Sequence, residues 1–166
     1  MIRFLTIYRG PSGSGKTTAA AARAQKKGIP HFEADQFFMK DGVYRFNPSR
    51  LQAAHAWCFE STMNALKDGS AIVSNTFTRI WEIEKYIVTA LNELQVDEVV
   101  IHEMSGRFTN VHGLTEAQVE AQRQRFESNT ELYLHLKNTT NFECDNGWLG
   151  LRVQRFRPTP IYSGDF

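Results

Sequence analysis

The sequence predicts a three-layer α/β domain, with a mostly parallel central sheet between helices and a helical lid. Three observations predict it. Short β-branched runs alternate along the chain with stretches that repeat at helical spacing. The first such run ends in a glycine-rich turn that opens directly into an alanine-rich helix. A later capping-box sequence starts a helix that is polar all round, unlike the others.

Residues 2–8 are β-branched and aromatic and stop near Gly10, as a buried parallel strand does before a tight turn. The alanine-rich helix from Lys16 to Lys27 ends on two lysines, which suit the negative end of the helix dipole, and on Gly28. Residues 30–34 form a short extended piece leading to Asp35, and residues 36–48 a long loop. Asn47 and Pro48 pattern as an N-cap and a first helical position. Leu51, Ala54, Cys58, Met63 and Leu66 follow near helical spacing until Gly69. Residues 70–74 predict another buried strand. Thr78 is placed to cap a third helix bearing Ile80, Ile83, Ile87, Leu91 and Leu94, and residues 96–101 predict a further strand. Thr115 to Gln118 is the capping box of the polar fourth helix, and residues 151–156 predict a final strand.

Composition bounds the function. At 166 residues, 42% apolar and 22% charged, the chain fits one domain spanning residues 1–166. No apolar run is long enough to cross a bilayer, and the first ten residues are too short for a signal peptide. Cys58 and Cys144 lie far apart without metal-ligand spacing, so reduced thiols and a cytoplasmic setting are expected. A net charge of +1 excludes a strongly basic coat for nucleic acid. The alternation of Arg152, Arg155 and Arg157 with apolar residues leaves a local basic patch open, but suits a half-exposed edge strand better.

The clearest motif is Gly10, Pro11, Ser12, Gly13, Ser14, Gly15, Lys16, Thr17, which satisfies G-x-x-x-x-G-K-[ST] between an expected strand and an expected helix. This is a P-loop, and it specifies the fold class as that of P-loop NTPases. Small residues let successive N–H groups turn inward on a phosphate, and the helix N-terminus adds partial positive charge. Lys16 is expected to reach the β- and γ-phosphate oxygens of ATP, Thr17 to offer its hydroxyl to Mg2+, and Thr18 to continue the cradle.

Asp35 follows the second extended piece, and ligands of parallel sheets collect beyond the C-terminal strand ends. A carboxylate there can take the proton of an attacking hydroxyl and hold it in line. Phe37, Phe38, Tyr44 and Phe46 crowd the next loop; they can stack on a nucleobase or form the loop's own small core, and for most of them the core is favoured. Arg79 can meet a substrate phosphate or simply start a helix in solvent. Arg123 and Arg125, on the polar helix, are candidates for a catalytic lid or ordinary surface arginines. His55, His102, His112 and His135 lack metal-ligand spacing and are expected to pack or hydrogen-bond.

Taken in order, several stretches resemble the polynucleotide-kinase-like P-loop kinases. They are the loop from Gly10 to Thr17; Ala34, Asp35, Gln36, Phe37 and Phe38; residues 42–48; and Ala54 to Cys58. Ser74 to Thr78, residues 110–113, and Arg125, Phe126 and Glu127 complete the set. The resemblance implies that Asp35 is the general base, that Arg125 is a lid arginine near ATP, and that Asn75 and Thr76 line the substrate side. ATP and Mg2+ are the cofactors expected from the P-loop, the lack of a long apolar run leads to no expected membrane association, and no obligate protein partner is inferred.

Two positions depart from the family. Phe38 stands where the phage polynucleotide kinase segment carries a phosphate-reading arginine. Ser74 stands where many members have an acid before the Asn–Thr pair, leaving Mg2+ to Thr17, phosphate oxygens and water. The expected reaction is phosphoryl transfer from ATP to a nucleic-acid hydroxyl, most simply a 5′-OH. A phage kinase acting on hydroxymethylpyrimidine in DNA, a nucleoside or small-metabolite kinase, and an ATPase or switch module are the alternatives.

Overall fold

The structure, a computed structural model, describes residues 1–110 and 112–160. The chain begins with β1 (Phe4–Arg9), α1 (Lys16–Lys27), β2 (His31–Phe32), a 3-10 turn (Ala34–Phe38) and a small hairpin of β3 (Met39–Lys40) and β4 (Val43–Tyr44). A second 3-10 turn (Pro48–Arg50) leads into α2 (Leu51–Leu66), β5 (Ala71–Asn75), α3 (Ile80–Val88), a π turn (Thr89–Glu93) and β6 (Glu98–Glu103). The last elements are α4 (Glu116–Arg125), α5 (Asn129–Thr139), β7 (Glu143–Gly147) and β8 (Gly150–Gln154).

The central sheet has the order β2-β5-β1-β6-β8-β7. The strands from β2 to β6 pair in parallel, whereas β8 is antiparallel to β6 and β7 antiparallel to β8. Strand alternation sorts the side chains onto two faces. Leu5, Ile7, Ala71, Val73, Val99 and Ile101 join the main core, shared with Ala54 and Cys58 of α2, Ile83 of α3 and Leu132 of α5. Tyr8 and Ile72 face the other way and pack with Ala20 of α1. The sheet is therefore the middle of three layers. No helix among the described residues is long and apolar enough to cross a membrane.

Strand ends differ from expectation at both margins. β1 starts at Phe4 because Arg3 is committed elsewhere: its guanidinium donates to the carbonyls of Leu66 and Leu94, and its N–H to Asp97. β1 and β6 run on through Arg9 and Glu103, which face each other in the ladder. Asn47 caps the 3-10 turn that precedes α2, its side chain accepting from Ser49 N–H, with Pro48 in the first turn. Thr78 does not cap α3. The flanking residue is Arg79, and the free N–H of Ile80 is taken by the Glu127 carboxylate at 3.1 Å. The capping boxes of Thr115 with Gln118 and of Ser128 with Glu131 are both present.

The tail arginines form no patch. Arg152 makes a bidentate pair with Glu98 at 2.8 and 3.0 Å, Arg155 donates to Leu91 O and Arg157 to Asp97. β8 is half-exposed as expected, but the edge strand is β7.

Candidate active site

The C-terminal ends of β1, β5 and β2 meet at one rim of the sheet, and the phosphate loop leaves β1 there. Gly10 N–H donates to Thr76 O at 3.2 Å, tying the loop to the segment after β5. Gly13 and Gly15 have φ of 76° and 94°, in the left-handed region where a Cβ is costly. At Gly13 a Cβ would also lie 2.4 Å from Phe108 O, so the close approach of residues 104–110 requires glycine. Gly15 is the residue preceding α1, so the loop's N–H groups and the helix N-terminus converge.

Ser12 N–H donates to Gln122 Oε1 of α4 at 2.8 Å, and Phe108 N–H donates to Gly13 O at 2.8 Å. One loop donor, Ser12 N–H, thus already holds an oxygen acceptor, while the Gly13 carbonyl accepts from Phe108. Ser14 Oγ is buried, and among the described residues it has no hydrogen-bond partner. Lys16 Nζ reaches Pro11 O at 3.4 Å, its ammonium pushed below the ordinary lysine value by burial, with Glu33 and then Asp35 opposing the shift. Thr17 and Thr18 are exposed. The hydroxyl of Thr17 and the carboxylates of Glu33 and Asp35 are oxygen donors of the kind that suits Mg2+.

A cleft of about 720 Å³ opens beside Ser12 between residues 107–110 and α4, with Arg107, Phe108, Asn110, Glu120 and Arg123 on its walls. Arg123 donates to Gly106 O at 3.3 Å from this wall. Arg125 is turned the other way, its Nε donating to Thr78 Oγ1 at 3.3 Å. α4 buries none of its residues, and Gln122 and Arg123 tie it to Ser12 and Gly106 by hydrogen bonds.

Asp35 lies in the 3-10 turn after β2, with 41% of its side chain exposed. Tyr44 donates its hydroxyl to Asp35 Oδ1 at 2.9 Å, and His112 Nε2 lies 3.3 Å from Oδ2. The Tyr44 hydroxyl is pushed up to about 12 by burial and by its bond to Asp35, so it remains a donor at neutral pH. Asn75 is buried and spent on structure: its Oδ1 accepts Ala34 N–H at 2.9 Å, and its Nδ2 faces Cys58 Sγ. It positions the turn that carries Asp35 and leaves Thr76 as the partly open member of the pair.

Phe38 is only 5% exposed and packs edge-on against Phe37, Tyr44 and Phe46, which puts it in the core beneath the site. Tyr44 and Phe46 stack at 13°, and Phe46 is 50% exposed. Arg79 is half-exposed and lies 3.7 Å from Glu127.

Four participants were not legible as site residues in the sequence. Gln122 and Phe108 meet the loop only through folding. His112 sat in the 110–113 stretch with no partner in view, and Val111 of that stretch lies outside the described residues. Glu33 could have been found by asking which carboxylate directly follows β2, since strand ends collect ligands.

A parallel sheet with a glycine-rich loop between β1 and α1, leading into Lys16 and Thr17, defines the P-loop NTPase fold. Solved structures share it. One is a presumed kinase from Chloroflexus aurantiacus J-10-fl, 19% identical with a TM-score of 0.51, the match covering 61% of this chain and 59% of that one. A gluconokinase from Sinorhizobium meliloti 1021 is 14% identical with a TM-score of 0.53, over 76% and 77% of the two chains. A chain of the Pnkp1/Rnl/Hen1 RNA repair complex is 16% identical with a TM-score of 0.58, over 96% of this chain and 50% of that one. This chain thus spans about half to three-fifths of two of these three structures. No family model matches the sequence.

Proposed function

We propose that the protein is an ATP-dependent kinase that transfers the γ-phosphoryl group to a hydroxyl of a nucleic acid. The observation that carries this reading is the meeting of the phosphate loop, which leaves the end of β1, and Asp35, which follows β2, at one rim of the sheet. The loop's N–H groups and Lys16 bind and orient the phosphates. Mg2+, held by Thr17, would neutralise developing phosphate charge when bound. Asp35 accepts the hydroxyl proton at a carboxylate oxygen, which requires the acceptor to take the place of His112 or Tyr44 there. Arg123, on the cleft wall, neutralises charge from the lid side.

The acceptor reading draws on the β3–β4 hairpin. Tyr44 and the exposed ring of Phe46 offer a stacking surface beside Asp35, and Lys40, Arg45 and Arg50 carry positive charge on and after the hairpin. A fold likeness to a chain of an RNA repair complex accords with this. A small-molecule hydroxyl is the second reading, favoured by a net charge of only +1.

The test is transfer from γ-labelled ATP to 5′-OH DNA and RNA, hydroxymethylpyrimidine-containing DNA, free nucleosides and gluconate. Label on a polymer strand end or base is expected. Label on nucleosides or gluconate alone would replace the nucleic-acid reading with the second, and release of free phosphate alone would reject both.

A further inference from the structure

Glu33 is a carboxylate with no assigned work in an otherwise occupied site. It follows β2 directly, and only 12% of its side chain is exposed. Its Oε1 accepts the hydroxyl of Ser74 at 2.5 Å. Ser74 has one proton to give, so the Nε2 of His31, 2.7 Å from the same hydroxyl, is the donor to Ser74 and not its acceptor. His31 itself stays 3.7 Å from Glu33. The chain of donation therefore runs from His31 through Ser74 to Glu33 and ends on a carboxylate. Among the described residues nothing donates to its second oxygen.

A carboxylate this enclosed is costly unless a cation offsets it. Lys16 is the one cation of the phosphate loop, and Glu33 is the strongest charge supporting it, ahead of Asp35. Ser74 stands near the C-terminal end of β5, opposite Tyr8 near the C-terminal end of β1, one residue before Asn75 faces Arg9 and the loop begins. Ser74 thus holds by a hydrogen bond, at the strand end beside the loop, a carboxylate that the sequence at position 74 does not itself supply.

We propose that Glu33 is the acidic partner of the divalent cation that accompanies the nucleotide, acting together with the Thr17 hydroxyl and held in place by Ser74. This rests on the phosphoryl-transfer reading. It replaces the sequence-level expectation that the cation depends on Thr17, phosphate oxygens and water alone.

Mn2+ binding to the full chain, followed by its electron paramagnetic resonance signal with a non-hydrolysable ATP analogue present, tests the proposal without turnover. Glu33→Gln, which keeps the shape and a hydrogen bond to Ser74, is expected to weaken Mn2+ binding by about 10- to 100-fold. Metal-free binding of the analogue should persist. Adding Ser74→Asp to Glu33→Gln returns a carboxylate to the strand end and is expected to recover most of the loss. Unchanged Mn2+ affinity in Glu33→Gln would overturn the proposal. So would an equal loss of metal-free analogue binding, which would make Glu33 a packing residue. If the unaltered protein binds neither the analogue nor its Mn2+ complex, the phosphoryl-transfer reading falls first and the proposal with it.

Discussion

Asp35 has both carboxylate oxygens engaged, Oδ1 by the Tyr44 hydroxyl and Oδ2 by His112, which comes from the far side of the site. If Asp35 is the base, as proposed, such contacts fix its orientation while leaving one oxygen to be exchanged for an acceptor hydroxyl. Tyr44→Phe removes one of them and nothing else of size. A neutral donor of this kind contributes about 1 kcal/mol, so kcat is expected to fall by roughly fivefold with nucleotide KM unchanged, measured by steady-state transfer. Asp35 was legible in the sequence because a strand end and an acid stand together there. His112 was not, because 77 positions of chain separate it from Asp35 and only folding brings them together. Asn75 was readable as important, but its role shifted: its buried amide holds the backbone beneath Asp35 instead of facing substrate.

At the scale of elements, the α4–α5 junction is fastened to the sheet by the buried Arg9 together with Asn129, which donates to Ile101 O and Glu103 of β6. Arg9 is fully buried, donates to Phe77 O and Asn129 Oδ1, and lies 4.3 Å from the Phe126 ring centre. Burial pushes it down to about 10, with Glu103 opposing, so it remains charged at neutral pH. Arg9→Met would leave Phe77 O and Asn129 Oδ1, both buried, without the donor they have in Arg9. A loss of about 3–5 kcal/mol is expected in denaturant unfolding.

α4 behaves differently, because it buries nothing and depends on its cap. Thr115→Ala should cost that helix about 1 kcal/mol, visible as faster amide exchange in residues 116–119 and a raised nucleotide KM, with global Tm little changed. The capping box made α4 readable. α5 and β7 escaped, since α5 follows α4 after a break of only three residues and β7 is the polar run Glu143 to Gly147 on the sheet's outer edge. The third helix was visible as a periodic apolar stretch, but its cap was not, because the group that serves Ile80 N–H is Glu127, 47 residues away.

For the whole molecule, the parallel strands set the layers and the histidines set an acid limit. Burial holds His31, His55 and His102 below the ordinary value of 6.5; Glu33 opposes the shift at His31, and Arg23 adds to it at His102. Below about pH 6.5 the unfolded chain binds protons that the folded chain resists, so stability rises with pH across that range and falls on acidification. Asp97, held below the usual carboxylate range chiefly by the Arg3 N–H, contributes stability that is lost in the same direction at lower pH. Tm followed by circular dichroism is therefore expected to drop steadily from pH 7.5 to 5, and a flat profile would contradict this.

The mostly parallel character of the sheet and the placing of the phosphate loop were readable because both follow from local patterns. These are β-branched runs alternating with helical stretches and a glycine-rich turn between the first run and an alanine-rich helix, whereas the strand order was not readable. The lid contacts were not, because Gln122 on Ser12 and Phe108 on Gly13 join residues about a hundred positions apart.

The most direct measurement is single-turnover transfer of label from γ-labelled ATP to the acceptor panel by the unaltered protein, Lys16→Ala and Asp35→Asn, with nucleotide binding measured in parallel. The account predicts a labelled acceptor with the unaltered protein and none with Lys16→Ala. Asp35→Asn should bind nucleotide normally but transfer about 10²- to 10⁴-fold more slowly. Full transfer by either variant, or free phosphate as the only labelled product of the unaltered protein, would contradict it.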